Sequence, residues 1–307
     1  MKCTTIKRIA LTIAAVAAAL LLSVAAFAQE TVRITHALGT TDVKVNPQKI
    51  VVFDFGALDT LDLLGVDVAG LPKQSIPPYL AKYASDEYLN VGSLFEPDYE
   101  LLNEIKPDLI LIGGRQASVY DQLSKLAPTV YVAVDTADYV GSFKKNMENI
   151  GRIFGKEAEV SRHLAEIDAA IERIRARSRG KVAFVGLVSG GRVSTFGPGS
   201  RYGLVYDVLG FSPVSAPIEE STHGQTISFE FILVYNPDVI LAIDRDAATG
   251  AEGAQPAKAV IENALVRETK AYKNGQILYL DPYLWYISGG GLYSFKAMIA
   301  EIEAGLR

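Results

Sequence analysis

An internal repeat limits how this chain can fold. The segment Glu100-Leu-Leu-Asn-Glu-Ile-Lys-Pro-Asp-Leu-Ile-Leu111, followed by Arg115, recurs as Glu230-Phe-Ile-Leu-Val-Tyr-Asn-Pro-Asp-Val-Ile-Leu241, followed by Arg245. One shift of 130 residues, with no gap, maps Glu100 onto Glu230, Pro107 onto Pro237, Asp108 onto Asp238 and Arg115 onto Arg245. A shorter echo pairs Asp62-Leu-Leu-Gly65 with Asp207-Val-Leu-Gly210. Each long copy reads as a helix, a Pro-Asp turn and a short continuous apolar strand, the pattern of a parallel sheet covered on both faces. The repeat predicts two α/β lobes of common design.

The remaining pattern fits that frame. Residues 31–45 alternate polar and apolar around Gly39, which suits an opening hairpin. In the first half, strands are expected over 49–55, 66–71, 108–112 and 129–134, with helices over 58–64, 97–105 and 116–126. Residues 139–178 contain no proline and few strand formers. There Leu164, Ile167, Ile171 and Ile174 lie on one helix face, interleaved with charges that suit a solvated face. Ser178-Arg179-Gly180 ends this helix. Strands are then expected over 182–188, 239–243 and 277–280, and helices over 202–209, 229–235, 259–268 and 292–306. The predicted organisation is an N-terminal α/β lobe over 29–140, a helical segment containing the linking helix over 141–179, and a C-terminal α/β lobe over 180–307.

Residues 1–28 stand outside the fold. Lys2, Lys7 and Arg8 precede an apolar run that ends in Ala26-Phe27-Ala28, the pattern of a cleavable secretory signal peptide. Cleavage removes three of the 30 basic residues and none of the 35 acidic ones, for a net charge of −8. That charge argues against nucleic acid as a partner. The single cysteine, Cys3, precedes the apolar run, where a lipid-anchoring cysteine would follow it. The expected product is an exported periplasmic chain, not a lipoprotein, with neither disulfide nor Cys metal site.

Three arginines are the candidate ligand-binding groups. Arg115 and Arg245 each follow a predicted parallel strand, and ligands of open α/β sheets sit outside such strand ends. Arg201 lies in Gly197-Pro-Gly-Ser-Arg-Tyr-Gly203, a glycine-rich loop before a helix, where backbone N–H groups favour an anion. Together they suit a polyanionic, planar ligand, because arginine keeps its charge and stacks on π faces. No Gly-Lys-Ser/Thr follows the loop, so it is not a nucleotide P-loop. No Gly-x-Ser-x-Gly elbow supports a hydrolase. Gly289-Gly-Gly291 reads as close backbone packing at a helix start. Of the three histidines, His36 and His163 are expected at the surface. His223 sits in the polar loop Ser221-Thr-His-Gly-Gln-Thr226. One candidate histidine and no cysteine disfavour a zinc site, whereas ferric iron accepts oxygen donors plus one imidazole. Asp281-Pro-Tyr-Leu-Trp-Tyr286, just after a strand, offers phenol oxygens.

At these residues the chain resembles the class III periplasmic binding proteins of ABC importers. It is most similar to the subgroup that binds ferric catecholate siderophores of enterobactin and petrobactin type. The matching stretches are Thr35–Thr41, Gly92–Asp98, Gly114–Gln116, Phe196–Gly203, Thr222–Gly224, Asp244-Arg245 and Leu280–Tyr286. The resemblance implies two Rossmann-like lobes with parallel sheets, joined by one long α-helix and closing little. It implies a binding protein without enzymatic activity or intrinsic cofactor, whose ligand is a ferric siderophore. Arg115, Arg201 and Arg245 become an anion-neutralising triad, and His223 and Tyr286 ligands to the Fe³⁺ of an incompletely chelated complex. Glu100 and Glu230 become salt-bridge partners of the membrane permease, which works with its ATPase subunits; the binding protein itself is expected to be a monomer. A haem- or other metal-chelate-binding protein of the same fold is the alternative, and an exported metal-chelate enzyme a more distant one.

Overall fold

The computed structural model describes residues 30–218 and 224–307. The signal-peptide segment, Cys3 and His223 lie outside these residues.

The chain opens with an antiparallel hairpin of β1 (Thr31–His36) and β2 (Gly39–Lys44), as expected. The first sheet is wholly parallel, in the order β5 (Leu89–Asn90), β4 (Gly70–Leu71), β3 (Ile50–Val52), β6 (Leu109–Ile112), β7 (Thr129–Tyr131). Every residue of β3 and β6 is buried, which is why these strands read as unbroken apolar runs. They are shorter than predicted. The chain turns at Asp54, whose carboxylate accepts the Ala57 N–H at 2.9 Å and starts the helix Phe55–Leu63 inside the apolar run. Likewise only Gly70–Leu71 of the predicted strand over 66–71 pairs.

The second sheet has β8 (Val182–Ser189) at its centre, with β12 (Val239–Asp244) and then β13 (Ile277–Leu280) parallel on one side. On its other side the pattern departs from βα alternation. β9 (Arg192–Thr195) folds back antiparallel on β8, and β11 (Gln225–Ile227) pairs antiparallel with β9. The turn is Gly190-Gly191, with φ values of 57° and 72°. Two such residues between paired strands are what a two-residue hairpin requires. A short β10 (Ser212–Pro213) runs parallel to the start of β8.

The repeat exists in three dimensions with its register intact. The helices Tyr99–Ile105 and Phe229–Tyr235 occupy equivalent positions, and each ends in a left-handed residue, Lys106 and Asn236. The Pro-Asp pair has a structural reason. Asp108 accepts the backbone N–H of Gln48 and Lys49 at 3.2 and 3.1 Å, and Asp238 accepts that of Val182 at 2.9 Å. Each aspartate thus ties its own strand to the start of the central strand beside it.

The segment between the sheets forms the helices Tyr139–Phe154 and Glu157–Ser178, separated at Gly155, whose φ is 62°. The stripe Leu164, Ile167, Ile171 and Ile174 is buried as the spacing required. Two expectations fail. His36 and His163 are each only 6% exposed. His36 packs edge-on against Tyr120 and contacts the Thr41 hydroxyl, and His163 is covered by Lys296 of the C-terminal helix Leu292–Gly305.

That C-terminal helix unites the halves. Arg173 of the linking helix holds Glu303 with two contacts of 2.6 and 3.0 Å. At its start, Asp59 of the first half accepts the backbone N–H of Tyr293 and Ser294, each at 3.2 Å. The approach is close: a Cβ on Gly291 would lie 2.2 Å from Gly56 O and from Asp59 Oδ1. Gly291 therefore is a close-packing glycine, as read from the sequence. One apolar core continues from Leu58 and Leu61 through Phe295 and Ile299 to Leu241.

Candidate functional site

A cavity of about 720 Å³ opens between the two halves, where the carboxyl ends of both sheets meet. Its walls include Phe95, Arg115, Tyr131, Arg201, Tyr202 and Tyr286. The geometry follows from topology. Arg115 comes three residues after β6 ends, Arg245 immediately follows β12, and Tyr286 comes six residues after β13.

Tyr286 is held on a rigid turn. Asp281 accepts the N–H of Tyr283 and Leu284 at 2.8 and 3.3 Å, and residues Tyr283–Ile287 form one π-helical turn. Such turns carry functional side chains in many proteins. Trp285 is buried, with its indole N–H donated to Glu301 at 2.8 Å, and this anchor turns the next side chain toward the cavity.

The three predicted arginines converge on this one tyrosine. Arg115 donates to the Tyr286 carbonyl at 3.1 Å and to that of Ile287 at 3.4 Å. Arg201 donates to the same Tyr286 carbonyl at 2.6 Å, and its guanidinium lies 4.3 Å from the Tyr286 ring centroid. Arg245 donates from Nε to the phenol oxygen at 3.0 Å and from Nη1 to Ser189 Oγ at 3.1 Å. Each guanidinium has five N–H donors, so none is used up by these bonds; Arg115 and Arg201 line the cavity, whereas Arg245 is not among its walls and meets it through the Tyr286 phenol. Among the described residues no carboxylate pairs directly with Arg115 or Arg201, and Asp246 lies 3.8 Å from Arg245.

Electrostatics follow from that crowding. Burial raises the Tyr286 phenol, but the Arg245 hydrogen bond and the charges of Arg245, Arg201 and Arg115 outweigh it, and the phenol is more acidic than a free tyrosine. Burial makes the Arg115 guanidinium less basic, an effect Asp54 opposes and Arg201 reinforces. The site is a cationic floor around a phenol more acidic than that of a free tyrosine.

The glycine-rich loop behaves differently from its sequence reading. Its Gly199 N–H is taken at 2.8 Å by Asp207, on the single helical turn Leu204–Asp207 that follows. A carboxylate of the chain itself fills the place expected for an external anion. What the loop contributes is Arg201. Gly224, after His223, lies so close to Phe196 that a Cβ would approach its ring to 2.7 Å. Glu100 and Glu230 are exposed in the first turns of the two equivalent helices, away from the cavity walls.

Sequence reasoning missed four residues here. Asp54 and Ser189 support Arg115 and Arg245, and both lie at strand ends, the signal that found the arginines. Phe95 and Tyr131 line the cavity from loop and strand-end positions that carry no charge pattern. Among the described residues no three His, Cys, Asp or Glu side chains cluster as a metal site, and no helix is long and apolar enough to cross a membrane.

Comparison with known proteins agrees with this architecture. Residues 50–284 match the family model described as periplasmic binding protein. The chain is 48% identical to the petrobactin-binding protein YclQ of Bacillus subtilis, over 91% of this chain and 89% of that one. It is 38% identical to the ferric-anguibactin-binding protein FatB of Vibrio anguillarum, over 89% and 86%. The crystal structure of YclQ superimposes with a TM-score of 0.86, covering 91% of this chain and 99% of that one. The periplasmic catecholate-siderophore binding protein VctP of Vibrio cholerae, 41% identical, also gives 0.86, covering 90% and 100%. With two α/β halves joined by a long helix and a cavity between their strand ends, the chain belongs to the periplasmic binding protein family and has its class III fold.

Proposed function

We propose that this protein captures a ferric catecholate siderophore in the periplasm and delivers it to an ABC importer. The observation that carries this reading is the convergence of Arg115, Arg201 and Arg245 on Tyr286. A ferric tris-catecholate carries three negative charges on planar rings, and three guanidiniums match it in charge and shape. At an effective dielectric of ~20, one such contact at ~4 Å contributes roughly 4 kcal/mol before desolvation. Three contacts leave room for ordering costs while reaching the ~8 kcal/mol of micromolar binding. The catecholate siderophore named for VctP supports this ligand class, and the ferric anguibactin named for FatB supports a ferric ligand.

The Tyr286 oxygen suits ferric iron. A hexadentate chelator fills the coordination sphere itself, whereas a tetradentate one leaves two positions for the Tyr286 phenolate and the His223 imidazole. The Arg245 hydrogen bond supports this by making the phenol easier to ionise. Glu100 and Glu230 serve delivery: exposed at equivalent positions of the repeat, they present two acids to basic residues of the permease. Residues 1–28 direct export and are cleaved, leaving a monomeric binding protein without enzymatic activity or intrinsic cofactor.

Absorption spectra of the mature protein with bound ligand test the ligand class. A ferric tris-catecholate should retain its broad visible charge-transfer band on the protein. Tight binding of haem with a sharp Soret band, and none of the catecholate, would overturn the reading.

A further inference from the structure

We infer that Phe95 determines ligand specificity, selecting ferric chelates whose anionic oxygens are carried on aryl rings; this rests on the ferric-chelate reading above. Phe95 is 68% exposed, yet it lines the same cavity as Arg115, Arg201 and Tyr286. A phenyl ring so open to water gains nothing in the free protein. It becomes useful when a ligand covers it.

The turn that carries Phe95 holds it in the open. Its neighbour Leu94 is buried in the core and fixes the backbone from within. The Ser93 hydroxyl accepts the N–H of Phe95 and of Glu96, at 3.2 and 2.9 Å. Ser93 N–H donates to the Glu96 carbonyl at 3.0 Å, and Gly92 bridges to Pro97 across the base. Gly92 has a φ of 108°, and a Cβ there would lie 2.4 Å from the Glu96 carbonyl oxygen, so only glycine closes this turn.

The turn is also tied to the arginine floor. Gln116 is 1% exposed; its Nε2 donates to the Leu94 carbonyl and its Oε1 accepts the Gly113 N–H at 3.0 Å. Gln116 adjoins Arg115 in sequence, so one buried amide sets the backbone that presents both the phenyl ring and the guanidinium. A rigid aromatic rim beside a cationic floor fits anions borne on flat rings, which stack on π faces while their oxygens meet the guanidiniums. A chelate built on carboxylates can use the floor but not the rim.

Fluorescence titrations of the mature protein, with Trp285 as reporter, test this against two probes: a ferric tris-catechol chelate and ferric citrate, which is anionic without aryl rings. Phe95→Leu keeps apolar volume but removes the ring, Phe95→Trp keeps a ring, and Phe95→Ala removes both. Phe95→Leu and Phe95→Ala should weaken the catechol chelate tenfold or more, Phe95→Trp should bind it within threefold of the unaltered protein, and none should weaken ferric citrate more than twofold. Wild-type-like catechol binding by Phe95→Leu, or equal losses on both probes, overturns the selectivity. Unchanged binding with impaired cellular uptake would assign Phe95 to the permease-facing surface instead, and likewise overturns it. If the unaltered protein binds neither probe, the ferric-chelate reading itself fails.

Discussion

The two copies of the repeat bring an arginine to equivalent positions, and the two arginines do different things. Arg115 reaches across to the main chain of the other half, holding the carbonyls of Tyr286 and Ile287. Arg245 stays within its own half and holds the phenol oxygen of the same tyrosine. One duplicated strand end thus supplies a clamp on the backbone and a partner for the phenol oxygen. The difference shows that equivalence in a repeat fixes where a side chain starts, and the neighbouring structure decides what it serves.

The acids of the repeat should show the opposite, two copies with one duty, and here the largest effect is expected. Changing Glu100 and Glu230 together to Ala should abolish siderophore uptake in cells while leaving ligand affinity unchanged. Normal uptake at native expression would reduce both to helix N-terminal charges, worth only ~0.3–1 kcal/mol.

The arginines come next. Arg115→Ala, Arg201→Ala and Arg245→Ala should each weaken ferric-catecholate binding by roughly 1.5–3 kcal/mol, read by titration calorimetry. Arg115→Ala should lose most, because it also removes the donor to the Ile287 carbonyl, while the Tyr286 carbonyl keeps its bond from Arg201. Identical losses for Arg115→Ala and Arg245→Ala would erase the distinction drawn between them.

The phenol that Arg245 holds should have an effect of its own. Tyr286→Phe and His223→Ala should weaken tetradentate ferric complexes at least tenfold, about 1.4 kcal/mol, and hexadentate ones much less. Binding through the phenolate releases a proton wherever the phenol is still protonated. Affinity for the tetradentate complex should therefore rise with pH until the phenol is ionised. Arg245→Ala removes the hydrogen bond that makes the phenol more acidic, so the rise should move to higher pH. An unmoved pH profile in Arg245→Ala would show that the phenol does not ligate iron.

The smallest effect lies at the helix ends of the repeat. Lys106 and Asn236 are both left-handed, with φ of 52° and 43°. Asparagine adopts this conformation at less cost than lysine. Asn236 also accepts the Lys270 N–H at 2.8 Å. Lys106→Gly should stabilise the fold by about 0.5 kcal/mol in thermal melts, whereas Asn236→Gly should gain nothing.

What the sequence made legible was local and periodic. The helix Phe229–Tyr235 and the strand Ile277–Leu280 appear with the bounds their patterns predict, and the linking helix buries the stripe its spacing marked. Burial on both faces writes itself into an apolar run, and a helix face into a three-four spacing. The hairpin at Gly190-Gly191 carried a readable turn signal that the expectation of βα alternation overrode. The arginines were legible as strand-end and loop charges, but not their common target: Arg115 meets Tyr286 from 171 residues away and Arg201 from 85. The burial of His163 depends on Lys296, in a helix 133 residues further on. Contacts of that kind are set by how helices and sheets pack, which no local spacing records.

Charge matching at Tyr286 should select the ligand. Trp285, the single tryptophan, is buried beside Tyr286 and reports on the cavity. Its fluorescence should be titrated with an anionic ferric catecholate and with a neutral ferric hydroxamate. The catecholate should bind at micromolar or tighter affinity, and the hydroxamate at least a hundredfold more weakly. Equal affinity for the two would contradict it.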